Sequence, residues 1–120
     1  MDDRFAMGRH RHGFLATASQ RQRGDGGVFH EITHIDLDSG LQQVWDAGFG
    51  SGVSEPVFVE RSKQAAEGAG WLLATVYEPD RHTSSLVVLD ATAVADGPVA
   101  TVRLDHRVPF GFHGSWRPAA

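Results

Sequence analysis

The sequence predicts an all-β protein, and three observations carry that prediction. Short apolar runs rich in Val, Ile, Thr, Phe and Trp recur along the chain, each bounded by Gly, Pro, Asp or Ser clusters. Stretches compatible with a helix are few and short. The order of strand signals in the first half returns in the second.

In chain order, Gly13 to Ala18 is a first apolar run, placed after the basic cluster Arg9-His10-Arg11-His12. Arg21 to Gly27 is a polar, glycine-rich connection. Val28 to Leu37, the turn Asp38-Ser39-Gly40 and Leu41 to Asp46 read as a hairpin, because the turn residues interrupt a β-branched pattern that resumes with Val44-Trp45. A second glycine-rich connection, Gly48 to Gly52, leads into a strand over Glu55-Pro56-Val57-Phe58-Val59. Trp71 to Tyr77 and Ser85 to Asp90 are strands around a turn from Glu78 to Ser84, and Val99 to Leu104 is one more. Helix is expected only over Ser62 to Ala69 and Ala91 to Ala95.

An internal repeat underlies this order. Gly13-Phe14-Leu15-Ala16-Thr17 matches Gly70-Trp71-Leu72-Leu73-Ala74-Thr75 with one residue inserted. Ile35 to Gly40 then matches Leu89 to Gly97, with a longer turn in the second copy, and each copy ends in a further strand. Repeated sets of three or four antiparallel strands are the mark of propeller blades. Two copies make one to two blades, and a closed propeller needs at least about four. The expectation is therefore part of a larger domain, with residues 1–47 a partial blade and 55–120 the next repeat. A small stand-alone β-sandwich is the alternative.

Composition narrows the function. The 120 residues suffice for one domain, and 41% hydrophobic with 22% charged residues is ordinary globular content. A net charge of -4 gives no basic footprint for nucleic acid. The absence of cysteine removes disulfides and thiolate metal sites and fits a reducing compartment. No apolar run is long enough to span a bilayer, and Met1 to His12 lacks the apolar core of a secretory signal, so a cytoplasmic protein is expected.

Two motifs point to chemistry. Val108-Pro109-Phe110-Gly111-Phe112-His113-Gly114-Ser115-Trp116 sets one imidazole, the commonest transition-metal ligand, amid glycines and aromatics. Phe110, Phe112 and Trp116 are expected to pack in the core or, near a metal, to line an apolar tunnel. Glu55-Pro56-Val57-Phe58-Val59 opens on a glutamate that, read alone, is a strand start facing solvent, although a carboxylate is also a usual partner for the free N–H of a metal-bound imidazole.

A competing motif is His30-Glu31-Ile32-Thr33-His34, which matches the H-E-x-x-H of zinc metalloproteases. That chemistry needs a helix, where residues four apart share a face. On a strand the imidazoles would start roughly 13 Å apart at about 3.3 Å per residue, far too wide for two nitrogens each about 2.1 Å from one zinc. The extended form of the motif fails too, since Leu37 and Gly40 stand where it needs glycine and histidine. The basic cluster at residues 9–12 reads as a solvated edge, and His82 and His106 as surface or structural residues. The glycine-rich runs lack the Lys-Ser/Thr and helix of a phosphate-binding loop.

The two motifs, with Gly70 to Tyr77 and Leu86 to Ala91 between them, resemble the carotenoid cleavage oxygenases over nearly the whole chain. That family includes lignostilbene dioxygenases and the retinoid isomerohydrolase. The resemblance implies the C-terminal part of a seven-bladed β-propeller that holds a non-haem Fe(II) on four histidines. His113 would be one of the four and Glu55 the carboxylate that orients an iron-bound histidine. It further implies oxidative cleavage by O2 of a conjugated double bond in a carotenoid, apocarotenoid or stilbene, giving two carbonyl products. It leaves room for peripheral membrane contact through parts outside this chain. An inactive fragment and a non-enzymatic β-rich module are the other readings.

Overall fold

A computed structural model of the chain describes residues 1–19 and 28–119, so the expected connection from Arg21 to Gly27 lies outside the described residues. Two antiparallel sheets make up the molecule. The first has the order β1 (His12–Thr17), β2 (Glu31–Asp36), β3 (Gln42–Asp46). The second is built on β6 (Gly70–Glu78), β7 (Thr83–Asp90) and β8 (Pro98–Arg103). On its other edge β6 pairs with two pieces in turn, β4 (Gly52–Val53) and β5 (Val57–Glu60). The all-β expectation holds.

The alternation of side chains along a strand decides what is buried. In β6, Gly70, Leu72, Ala74 and Val76 point inward; in β7, Ser85, Val87 and Leu89 do so. Phe14 and Ile32 of the first sheet join the same core, together with Val94 from a 3-10 turn at Val94–Asp96. Several contacts tie the sheets and their turns together. The ring of Phe14 stacks on Phe58. The Gln43 side-chain amide donates to the Thr92 carbonyl at 3.2 Å. The Trp45 indole lies over Gly97, where a Cβ would stand 3.2 Å from Nε1.

The repeat is visible as matching turn chemistry. Asp36 closes its turn by accepting the amides of Asp38 (3.1 Å) and Ser39 (3.4 Å) on Oδ1. Asp90, at the matching place, accepts the amide of Thr92 at 2.9 Å. A short acidic side chain that bonds backbone two residues on is a turn former in its own right. Each aspartate also meets an arginine, Arg11 at 2.6 Å and Arg61 at 3.3 Å.

Four expectations need correction. Ser62 to Ala69 is not a helix but two successive turns, closed by Ala65 N–H to Ser62 C=O and Ala69 N–H to Ala66 C=O. The carbonyls that a helix would use are taken by the Arg4 guanidinium, which donates to Ser62, Lys63, Ala65 and Ala66. So short a segment cannot repay helix nucleation against that alternative. Only Val94–Asp96 of the expected helix from Ala91 is helical, as a single 3-10 turn. The basic cluster is not merely a solvated edge, since Arg11 pairs with Asp36 and His12 enters β1, half-buried against His34. The strand expected from Glu55 starts at Val57.

That last difference has a local cause. Three residues, Ser54, Glu55 and Pro56, stand opposite two, Ala74 and Thr75. Pro56 has no N–H to give the ladder, and the Ser54 hydroxyl accepts the Thr75 amide at 2.9 Å in place of a backbone carbonyl. The result is a bulge, a device that re-aims a side chain. Here the side chain is that of Glu55, which is exposed.

Candidate functional site

The chain after β8 has no regular structure, yet it returns across β7 and β6. His106 C=O accepts the Ser84 amide and Val108 N–H donates to the Ser84 hydroxyl, each at 2.9 Å. Farther on, Arg107 lies over the rings of Tyr77 and Phe110, at 4.9 and 5.6 Å from their centroids. Phe110 sits on Gly52, where an added Cβ would be 3.0 Å from the ring.

This path brings the two sequence motifs together. His113 Nδ1 lies 2.6 Å from Glu55 Oε2, across 58 residues of sequence. An ionised carboxylate can only accept, so the proton in this contact belongs to the ring. In the neutral imidazole that leaves the Nε2 lone pair for a metal. Nearby is a cavity of about 540 Å³ whose walls include Phe14, Val53, Tyr77, Phe110, Glu55 and His113.

The remaining candidates separate cleanly. Glu31 and His34 lie on β2, a strand, so the H-E-x-x-H match has the backbone that excludes a zinc protease site. His34 instead bonds His12, Nε2 to Nδ1 at 2.9 Å, and its ring stacks on Phe14. Burial, and next the nearby His12, hold the His34 imidazole below its ordinary value. His82 sits in a turn against the Tyr77 hydroxyl at 3.0 Å, and His106 meets Asp105 at 2.8 Å. Phe110, Phe112 and Trp116 are exposed, at 61%, 92% and 47%, so the expectation of core packing is overturned. They belong to an irregular tail that covers the sheet without entering it.

Sequence reasoning missed Ser54 and Ser84, whose hydroxyls replace backbone acceptors. The signal for Ser84 was a polar pair, Ser84-Ser85, at the head of an apolar run. It also missed that His30, Glu31 and Asp46 converge, with potential ligand atoms within 4.8 Å of one another. Glu31 and Asp46 are register partners on β2 and β3. That group does not include His113.

The family described as RPE65, retinal pigment epithelial membrane protein, matches residues 1–118. The chain belongs to this family of carotenoid cleavage oxygenases. A relative within it, isoeugenol monooxygenase of Pseudomonas nitroreducens, is 37% identical over 98% of this chain and 26% of its own length. The lignostilbene dioxygenase of Pseudomonas brassicacearum is similar in structure, with a TM-score of 0.89, 33% identity and coverage of 98% of this chain and 26% of that one. So is cobalt-substituted apocarotenoid oxygenase (ACO) of Synechocystis, at a TM-score of 0.83 and 33% identity over 93% of this chain and 23% of that one. That Synechocystis structure is of a metal-substituted protein, and this chain spans about a quarter of the length of such relatives.

Proposed function

We propose that the chain is the C-terminal part of a non-haem Fe(II) dioxygenase that cleaves a conjugated C=C bond of a carotenoid, apocarotenoid or stilbene. O2 is the co-substrate and two carbonyl products result. The single observation that carries the reading is the contact between His113 Nδ1 and Glu55 Oε2 at 2.6 Å. It gives the imidazole one committed nitrogen and one free nitrogen, the state in which histidine binds a transition metal.

The donor set fits Fe(II) as far as this chain supplies it. Imidazole suits iron, and a carboxylate behind it raises ligand basicity and fixes the ring. His113 would give one of four imidazoles, the other three coming from outside this chain. Bound iron supplies the route by which O2 reacts with a closed-shell alkene. The chain's own work is to hold the ring, keep its Nδ1–H directed at Glu55, and present apolar walls such as Phe14 and Val53 beside the histidine.

The two sheets are, in this proposal, consecutive blades of a seven-bladed propeller, residues 1–47 in one and 55–120 in the last. A cytoplasmic location is part of the reading, supported by the absence of cysteine. No helix among the described residues is long and apolar enough to cross a membrane. Any peripheral membrane contact would be made by parts outside this chain.

The test is His113→Ala in the full-length enzyme. Loss of bound iron by metal analysis, with loss of cleavage, is expected. A variant that keeps its full iron content would overturn the assignment.

A further inference from the structure

Ser84 is 1% exposed and stands in β7, one residue past its start. All its polar groups serve the segment that leaves β8. Its C=O accepts the Leu104 amide, its N–H donates to the His106 carbonyl, and its Oγ accepts the Val108 amide, each at 2.9 Å. The first two bonds prolong the β7–β8 ladder and need no particular side chain. The third needs a hydroxyl.

The residues after Val108 make that bond consequential. Pro109 restricts Val108 to extended backbone and has its own φ fixed near −65°. The direction set at Ser84 is therefore handed on through a stiff dipeptide. His113 lies five positions past Val108, a reach of at most about 18 Å, and in that span Phe110 is seated on Gly52 and held by Arg107 against Tyr77. Metal ligands have to be held to roughly 0.5 Å to bind well.

We propose that Ser84 is a positioning residue for His113: its buried hydroxyl fixes where the tail leaves the sheet and so delivers the imidazole onto Glu55. This rests on the reading of His113 as an iron ligand.

The experiment uses the full-length enzyme as wild type, Ser84→Ala, Ser84→Thr and His113→Ala. Fe(II) affinity is read by chelator competition, and amide hydrogen exchange is read at Ser84, Leu104 and Val108. Ser84→Ala is expected to lose protection at Val108 while Leu104 keeps it, and to weaken Fe(II) binding about tenfold. Ser84→Thr, which retains the hydroxyl, is expected to restore both; if its extra methyl prevents folding, the two readouts on Ser84→Ala decide alone. Wild-type Fe(II) affinity in Ser84→Ala, beside lost affinity in His113→Ala, would overturn the positioning role and leave the ligand assignment standing. Retained affinity in His113→Ala would overturn both.

Discussion

The rings of Phe14 and Phe58 lie 7° from parallel with centroids 5.5 Å apart, and they belong to different sheets. The stack continues from Phe14 to His34 at 5.1 Å and on to His12 at 5.1 Å. Removing one end should loosen the joint between the sheets. Phe58 is partly buried, so Phe58→Ala is expected to cost about 2–3 kcal/mol, below the full-burial range for such truncations. Urea unfolding measures it, and a change under about 0.5 kcal/mol would deny the stack a structural role.

The histidine part of the stack carries a pH dependence. His34 is held below its ordinary value of 6.5 by burial first and His12 second. The groups facing it are His12, Asp36 and Arg11. Near and below pH 6.5 the unfolded chain takes up a proton at this site that the folded chain refuses, so stability is complete above that pH and falls as the pH drops through it. His34→Gln is expected to flatten the fall in stability below about pH 6.5. An unchanged slope in thermal melts across that range would exclude His34 as its source. A separate loss, below the ordinary carboxylate range, belongs to Asp36, which the Arg11 guanidinium holds far down; it should persist in the variant.

Glu55→Gln keeps an oxygen that can accept from His113 but removes the charge. The expected outcome is Fe(II) binding weaker by about 10- to 100-fold, with the fold intact. Metal analysis against a chelator series checks it. Undiminished binding would return Glu55 to the role of a surface residue.

Gly70 opens β6 where nothing larger fits. A Cβ there would run into the Val59 carbonyl and lie 2.7 Å from Phe58 Cζ. Backbone cannot yield as a flexible side chain does, so Gly70→Ala is expected to cost about 3 kcal/mol, at the upper end for overpacking. Thermal unfolding reads this directly, and a variant as stable as the wild type would show that β5 can shift without penalty.

Much of this was legible in the sequence because period-two burial and turn chemistry are local. Leu72, Ala74 and Val76 alternate inward as written, and Asp38-Ser39-Gly40 announces its own turn. The match of Gly13 and Ile35 with Gly70 and Leu89 already pointed to two sheets. What stayed hidden depends on distant partners. Nothing near Ser62 says that Arg4 will take its carbonyls, and nothing in Gly52-Val53 says that two residues will pair with β6. The resemblance named His113 and Glu55 but not that the two meet, since no spacing rule links positions 58 apart. The surface placement of Phe110 and Phe112 escaped because apolar composition alone cannot separate a core residue from one on a covering tail.

The bulge at Ser54–Pro56 separates two tasks that sheets usually fuse. A residue inside a ladder is bound to alternation, and moving it by one position would turn every neighbour to the wrong face. Glu55 is exempt, because the pairing stops at Val53 and resumes at Val57. A substitution there changes the chemistry behind His113 while the scaffold on either side keeps its register. The carboxylate and the stability of the sheet are therefore separable, each open to alteration without the other.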